Sequence, residues 1–404
     1  MIDDQGRTFE SQKASPILKI MPIYGTRPEA IKMAPIVKAL EASERFECIV
    51  TVTGQHREML DQVNELFGIT PTHDLNIIQP RQTLNGVLTK TIQGLDALFA
   101  KDQPDAVIVQ GDTTTVTAGA LAAFNRGIPV IHVEAGLRSF NIFSPFPEEA
   151  NRKITSQVSS LHLAPTTTSR DNLLREAIDP ESIVVTGNTV IDALLEVVER
   201  KVPFADEALE RLTATGQRMV LVTSHRRENQ GEAMKGIGRA LARLADAEPD
   251  VHFVLPAHKN PAVREALLPA IQDKSNVTVT EPLAYGEFTR MLAAAEVVLT
   301  DSGGVQEEAP GLGKPVLVMR ENTERPEAVV AGTVRLIGTD EQRIFDEVST
   351  LLNDRDAYDE MANAVNPYGD GHAAERTVAA ISELLGVGTR LSDFGVEELI
   401  SEVS

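Results

Sequence analysis

From Ile17 onward, short runs of aliphatic and β-branched residues alternate with longer amphipathic stretches. The runs are Ile17–Ile23, Cys48–Val52, Ala106–Val109, Val130–Val133, Ile183–Thr186, Met219–Thr223, Val251–Leu255, Val277–Val279, Val297–Thr300, Val316–Met319 and Val334–Ile337. Strand-length runs separated by helix-length stretches predict parallel α/β sheets. Eleven such runs are more than one doubly wound sheet usually holds, so two Rossmann-like domains are expected. The first is read over 17–187 and the second over 188–372, with the break somewhere in 187–215. A last helix at about 373–385 is expected to pack back on the first domain. Residues 1–16 are polar and aperiodic and read as a disordered leader; 386–404 read as a flexible acidic tail.

Charge narrows the partners. The 38 lysines and arginines are outnumbered by 59 aspartates and glutamates, a net charge of −21. Such a surface repels nucleic-acid backbones and anionic membranes. No apolar stretch approaches the roughly 18–20 residues that cross a bilayer. Cys48 is the one cysteine, so no disulfide forms within the chain, and it reads as a core thiol. Met1-Ile2-Asp3-Asp4-Gln5 lacks the basic and apolar regions of a signal peptide, so a cytoplasmic protein is expected.

In open parallel sheets ligands bind beyond the carboxyl ends of the strands, so the residues that follow each run carry the chemistry. Gly25-Thr26-Arg27-Pro28-Glu29 turns into a helix, with Lys32 one turn inside and Pro35 expected to kink it. Gly111-Asp112-Thr113 puts a carboxylate at the sheet rim; Asp112 reads equally as a helix N-cap. Glu134-Ala135-Gly136-Leu137-Arg138 and Pro147-Glu148-Glu149-Ala150-Asn151-Arg152 follow. Glu148 and Glu149 also suit a helix start on dipole grounds alone. Asp112, Glu134 and Glu148 together on one rim would supply acid–base chemistry. In the second half, His225-Arg226-Arg227-Glu228 and His258 end strands. Asp301-Ser302-Gly303-Gly304 leads into Glu307-Glu308, a small-residue turn into a helix suited to phosphate. Glu324-Arg325-Pro326-Glu327 adds a cation at another helix start.

Several patterns are missing. No Gly-x-Gly-x-x-Gly follows a run, and Gly313-Lys314 is followed by Pro315 rather than the Ser or Thr of a phosphate loop. No Cys or His cluster has zinc spacing. Neither a bound cofactor nor a metal is expected.

Taken in order, these segments make the chain similar to the non-hydrolysing UDP-N-acetylglucosamine 2-epimerases over about 17–385. The resemblance implies a glycosyltransferase-B-like fold, with two Rossmann-like domains facing across a cleft. It implies a homodimer that interconverts UDP-N-acetylglucosamine (UDP-GlcNAc) and UDP-N-acetylmannosamine for cell-surface polysaccharide synthesis. The implied route is elimination of UDP to a 2-acetamidoglucal, then re-addition. Carried over by position, Asp112, Glu134 and Glu148 are the acid/base set, and Lys32 and His225 are catalytic or contact the diphosphate. Arg27, Ser302, Gly303, Gly304, Glu308 and Arg325 bind UDP, with Glu308 at the ribose. Phe288 lies beside the uracil, and Leu283 stands where relatives often have Gln. Many relatives have Gly in place of Ser224. A second UDP-GlcNAc, as activator, would meet Gln55, Glu58, Arg81, Arg226, Glu228 and His258; Glu58 is Gln in some relatives. The rival readings are a 2-epimerase of a 2,3-diacetamido uronic acid nucleotide, a glycosyltransferase of the same fold, a hydrolysing epimerase and a nucleotide-sugar sensor.

Overall fold

The computed structural model describes residues 17–54, 57–77, 79 and 81–395. Among them two parallel sheets form. The first holds β1 (Leu18–Tyr24), β2 (Phe46–Cys48), β3 (Thr51–Val52), β4 (His73–Asp74), β5 (Ala106–Gln110), β6 (Val130–Val133), β7 (Leu161–Ala164) and β8 (Ile183–Val185). Its order is β4-β3-β1-β5-β6-β7-β8, with β2 also on β1. The second holds β9 (Arg218–Thr223), β10 (Val251–Pro256), β11 (Val277–Thr280), β12 (Val297–Thr300), β13 (Val316–Val318) and β14 (Val334–Leu336), in the order β11-β10-β9-β12-β13-β14.

Period-two alternation within these strands feeds separate cores. In β5, Val107 and Val109 face the core behind the first sheet, with Leu95 and Phe99. Ala106 and Ile108 face the other way, into a core that also takes Leu221 of β9 and Val298 of β12. Val220 and Val222 of β9 enter a third core behind the second sheet. The shared middle core therefore joins the two halves. Helix Thr189–Arg200, between the sheets in sequence, buries Val190, Ile191, Ala193, Leu194 and Val197 in it. Burial on both faces explains why the strands read as continuous apolar runs.

The order of each sheet reverses once. In the first the switch lies between β1 and β5; in the second it lies between β9 and β12. A crevice opens beyond the strand ends at such points. Gly25–Lys32 and Gly111–Asp112 flank the first switch. Ser224–Arg226 and Asp301–Gly304 flank the second.

Helix Arg27–Glu41 runs through Pro35 without interruption. Burial pushes the Cys48 thiol up to about 12. Helix Ala373–Leu384 packs on Arg27–Glu41 and Thr189–Arg200, and Asp192 accepts from the Ala374 amide at 2.8 Å. Within the acidic tail, the stretch 386–395 lies against the first sheet's half: the Phe394 amide donates to Val185 O at 2.8 Å, and Arg45 donates to Val387 O. Among the described residues no helix is long and apolar enough to cross a membrane.

Candidate active site

The first rim is built at the ends of β1, β5 and β6. The buried Glu29 carboxylate accepts from the Gly25 and Thr26 amides at 2.6 and 3.0 Å and from Thr113 Oγ1 at 2.6 Å. It thereby ties the turn that carries Arg27 and Lys32 to the turn that carries Asp112. Burial pushes Glu29 up to about 7. The cap of the next helix is Thr113, whose hydroxyl accepts from the Val116 amide. Asp112 is therefore not spent on capping. Its Oδ2 pairs with Arg152 Nη2 at 2.6 Å, and its carbonyl accepts from Asn151 Nδ2 at 2.9 Å.

His132, on β6, supports the same turn. Its Nε2 lies 2.8 Å from Gly111 O. A carbonyl only accepts, so Nε2 carries the proton. Burial depresses this imidazole to about 3, and it stays neutral.

Glu134 follows β6 at φ 62°, a left-handed backbone that costs a non-glycine residue roughly 1–3 kcal/mol. The turn aims its carboxylate at Lys32 Nζ, with which it forms a short ion pair, and at Gln110 Nε2, 2.5 Å away. Burial alone would push the Lys32 ammonium down; the Glu134 and Glu307 carboxylates outweigh it and hold it above its ordinary value.

Glu148 opens helix Glu148–Val158, one turn before Asn151 and Arg152, so the three share a face with Asp112 in reach of it. Its neighbour Glu149 is fully buried and accepts from the Ser139 and Phe140 amides at 3.0 Å each. Glu149 thus folds the loop, while Glu148 is left at the rim.

The second rim hangs on Asp301, fully buried at the end of β12. Its carboxylate accepts from the His225 and Arg226 amides, Ser224 Oγ and Asn229 Nδ2, all within 3.1 Å. Ser224 therefore helps set the chain path into His225. The His225 ring lies 3.3 Å from Asp301 and stacks on His258 with centroids 5.7 Å apart; burial lowers its pKa. The helix after Ser302 is one and a half turns long, Gly303–Glu308, and runs on as a 3₁₀ turn. A Cβ on Gly303 would stand 2.8 Å from Arg325 Nη1 and 3.4 Å from Arg226 Nη2. Only glycine lets both guanidinium groups lie against this turn.

A cavity of about 520 Å³ separates the rims. Arg27, Lys32, His225, His258, Phe288, Ser302, Gly304, Glu308 and Arg325 line it, as do Leu283 and Tyr285. Asp112, Glu134 and Glu148 are not on the cavity wall; Glu134 reaches it through Lys32. Of the activator set, His258 and Arg226 lie at the second rim, and Glu228 faces Arg320 at 3.4 Å. Arg81 takes a left-handed φ of 57° in an exposed turn. Gln55 and the side chain of Glu58 lie outside the described residues.

Some residues of the site had no role in the sequence reading: Glu307, Asp301, Tyr285, Asn188, Gln110 and Arg152. Three of them, Asp301, Glu307 and Arg152, lie inside the segments already singled out, and that is the signal that could have found them. Arg325 Nε donates to Glu307 at 2.6 Å, and Tyr285 Oη donates to Glu308 at 3.3 Å. Burial and then the Glu307 charge push Glu308 up to about 7. Among the described residues no group of His, Cys, Asp and Glu side chains could hold a metal ion.

Known proteins match this arrangement over nearly its whole length. The UDP-N-acetylglucosamine 2-epimerase family model matches residues 38–382. The UDP-N-acetylglucosamine 2-epimerase of Escherichia coli K12 is 51% identical over 370 residues, 90% of this chain and 98% of that protein. The crystal structure of a Neisseria meningitidis UDP-GlcNAc 2-epimerase bound to UDP-GlcNAc aligns with a TM-score of 0.80 at 45% identity, covering 91% of this chain and all of that one. One from Listeria monocytogenes aligns at 0.89 and 46% identity, over 94% of this chain and all of the other. The two parallel sheets are the two Rossmann-like domains of a glycosyltransferase-B-like fold. On sequence, fold and the run of motifs around the cleft alike, the chain belongs to the UDP-N-acetylglucosamine 2-epimerase family.

Proposed function

We propose that this chain inverts carbon 2 of UDP-GlcNAc, giving UDP-N-acetylmannosamine for cell-surface polysaccharide synthesis. The observation that carries the reading is one cavity where Lys32 and Arg325, cations from the two domains, meet beside Glu134. The hydrogen on carbon 2 is not acidic. In the proposed route a carboxylate base takes that proton as the bond from carbon 1 to the diphosphate oxygen breaks. The leaving oxygen keeps the electron pair, and Lys32 and Arg325 offset its charge. A carboxylic acid then protonates carbon 2 of the 2-acetamidoglucal from the other face, and UDP re-forms the bond to carbon 1. Asp112, Glu134 and Glu148 are the acid/base set. His225 and Arg27 complete the diphosphate contacts, Glu308 holds the ribose and Phe288 flanks the uracil.

Proton NMR of the chain with UDP-GlcNAc in deuterated water tests this without any added cofactor. The expected result is UDP-N-acetylmannosamine with deuterium at carbon 2. An epimer that keeps its hydrogen overturns the elimination route. Untouched substrate overturns the activity.

The ribose assignment has a pH signature. An ionised carboxylate accepts from the two ribose hydroxyls with one oxygen each and its charge strengthens both bonds, whereas protonation turns one oxygen into a donor. With a pKa of about 7, Glu308 is protonated at pH 6 and ionised at pH 8. The diphosphate diester of the substrate does not titrate in this range. KM for UDP-GlcNAc is therefore expected to fall as much as about tenfold from pH 6 to 8, and to stay flat in Glu308→Gln. A wild-type KM without this slope refutes the ribose contact. The native state also holds this proton more tightly than the unfolded chain, whose ordinary value is 4.5. The contribution of Glu308 to stability thus falls as pH rises from 4.5 to about 7.

A homodimer is also proposed. The loop ahead of Glu148 carries Phe140, Phe143 and Phe146, 59%, 74% and 63% exposed, an apolar surface for a second copy to cover. Sedimentation is expected to give twice the 43.8 kDa of one chain, and Phe143→Asp to lower it. A single-chain mass for wild type refutes the dimer.

A further inference from the structure

One buried carboxylate in the cleft has no part in the reaction as written. The Glu307 side chain is 6% exposed, on the short turn of helix after β12. One oxygen accepts from Arg325 Nε at 2.6 Å. The other lies 3.8 Å from Lys32 Nζ and accepts from Asn188 Nδ2 at 3.2 Å. A single carboxylate therefore touches a cation from each domain and an amide from the segment that joins them.

Asn188 is itself held at every polar group. Its backbone amide donates to Tyr368 O at 2.6 Å, and its Oδ1 caps the next helix by accepting from the Val190 amide at 3.1 Å. Its Nδ2 also lies 3.4 Å from Glu134 Oε1. The amide thus stands between Glu134 and Glu307, donating to both.

Two opposing forces act here. Lys32 and Arg325 are like charges, and without an anion between them they repel. A buried carboxylate beside a diphosphate site also repels the ligand. Burial alone would push Glu307 up, yet Arg325 and Lys32 outweigh it and hold the pKa low, so the charge is present. We propose that Glu307 is a positioning residue that holds Lys32 and Arg325 together for the leaving diphosphate, with Asn188 fixing it in register with Glu134, and that it does so at the expense of UDP affinity. The inference rests on the reading of this cavity as a UDP-sugar site.

Glu307→Gln keeps the shape and removes the charge. The full-length chain and this variant are compared by turnover of UDP-GlcNAc and by calorimetric titration with UDP. The expected result is a fall in kcat of about a hundredfold, the scale of an ångström-sized misplacement. UDP is expected to bind more tightly than to wild type, by up to about tenfold, once the repelling charge is gone. A kcat within about threefold of wild type overturns the proposal. So does a parallel loss of kcat and UDP affinity, which marks a merely structural role. If Glu307→Gln does not fold, Asn188→Ser keeps a capping oxygen and removes the amide donor. A roughly tenfold fall in kcat with UDP affinity kept supports the proposal; unchanged kcat, or affinity lost in parallel, overturns it. A wild-type chain inert toward UDP-GlcNAc overturns the epimerase reading alone. UDP titration then still decides: tighter binding by Glu307→Gln supports the role, and equal or weaker binding overturns it.

Discussion

Asp112→Asn is expected to lower turnover by about a thousandfold while UDP affinity stays within about twofold of wild type. The carboxylate sits at the end of β5, held by Arg152 at 2.6 Å and fixed through its own carbonyl by Asn151. Asparagine keeps that shape but cannot take a proton. The residues proposed to bind UDP, Arg27 apart, lie on the second domain, and Asp112 pairs with none of them: its partners are Arg152 and Asn151. Arg152 loses one partner but keeps Glu149 at 3.2 Å, so the turn is expected to hold. The measurement is kcat together with the rate of deuterium entry at carbon 2, and UDP affinity by calorimetry. Turnover near that of wild type would remove Asp112 from the acid/base set. A collapse of UDP affinity would mean that it shapes the site instead.

The largest stability effect is expected from Gly136→Ala. This residue closes the turn that starts with Glu134, at φ +93°. An added Cβ would stand 2.2 Å from the Ser169 carbonyl oxygen and 2.7 Å from its carbon. Both are backbone atoms, and the Gly136 carbonyl is itself pinned by Asn172 Nδ2 at 3.1 Å. Neither side can yield as a flexible side chain would. The loss should exceed about 3 kcal/mol, a fall of roughly 10 °C in the melting of a domain this size. Gly127→Ala separates strain from collision. It has a comparable φ of +70° and nothing within 4 Å of the added carbon, so about 1 kcal/mol is expected. Thermal melts by circular dichroism with equal midpoints for the two variants would show that the collision with Ser169 is relieved.

The fold was legible because the central strands are buried on both faces and read as unbroken apolar runs. All eleven runs are strands. The Cys48–Val52 run divides into Phe46–Cys48 and Thr51–Val52, both paired with β1. Two strands gave no such signal. His73–Asp74 is two residues long. In Leu161–Ala164 a histidine interrupts the run, and its ring is satisfied locally by Ser156 O at 2.9 Å.

The site was legible as segments rather than as contacts. Asp112 read equally as cap or rim group, and the matter turns on Thr113, whose hydroxyl takes the cap. Glu307 and Glu308 are neighbours in sequence but lie about 100° apart around a helix. One faces Arg325 and Lys32, the other Tyr285. Which carboxylate faces which partner depends on how the two sheets meet, and no local pattern encodes that.

The way the chain closes on itself also bears on how its motions can be watched. The amide of Leu18 donates to Arg45 O at 2.9 Å, and the Arg45 guanidinium donates to Val387 O at 3.1 Å. Both ends of the described chain thus ride on the same half of the molecule. A dye pair at residues 18 and 390 would stay dark to any hinge between the halves, however wide. Tension applied through those positions in an optical trap would load the first sheet and leave the second as slack cargo. Reporters of cleft motion belong on opposite lips, for example at Ser139 and Lys259.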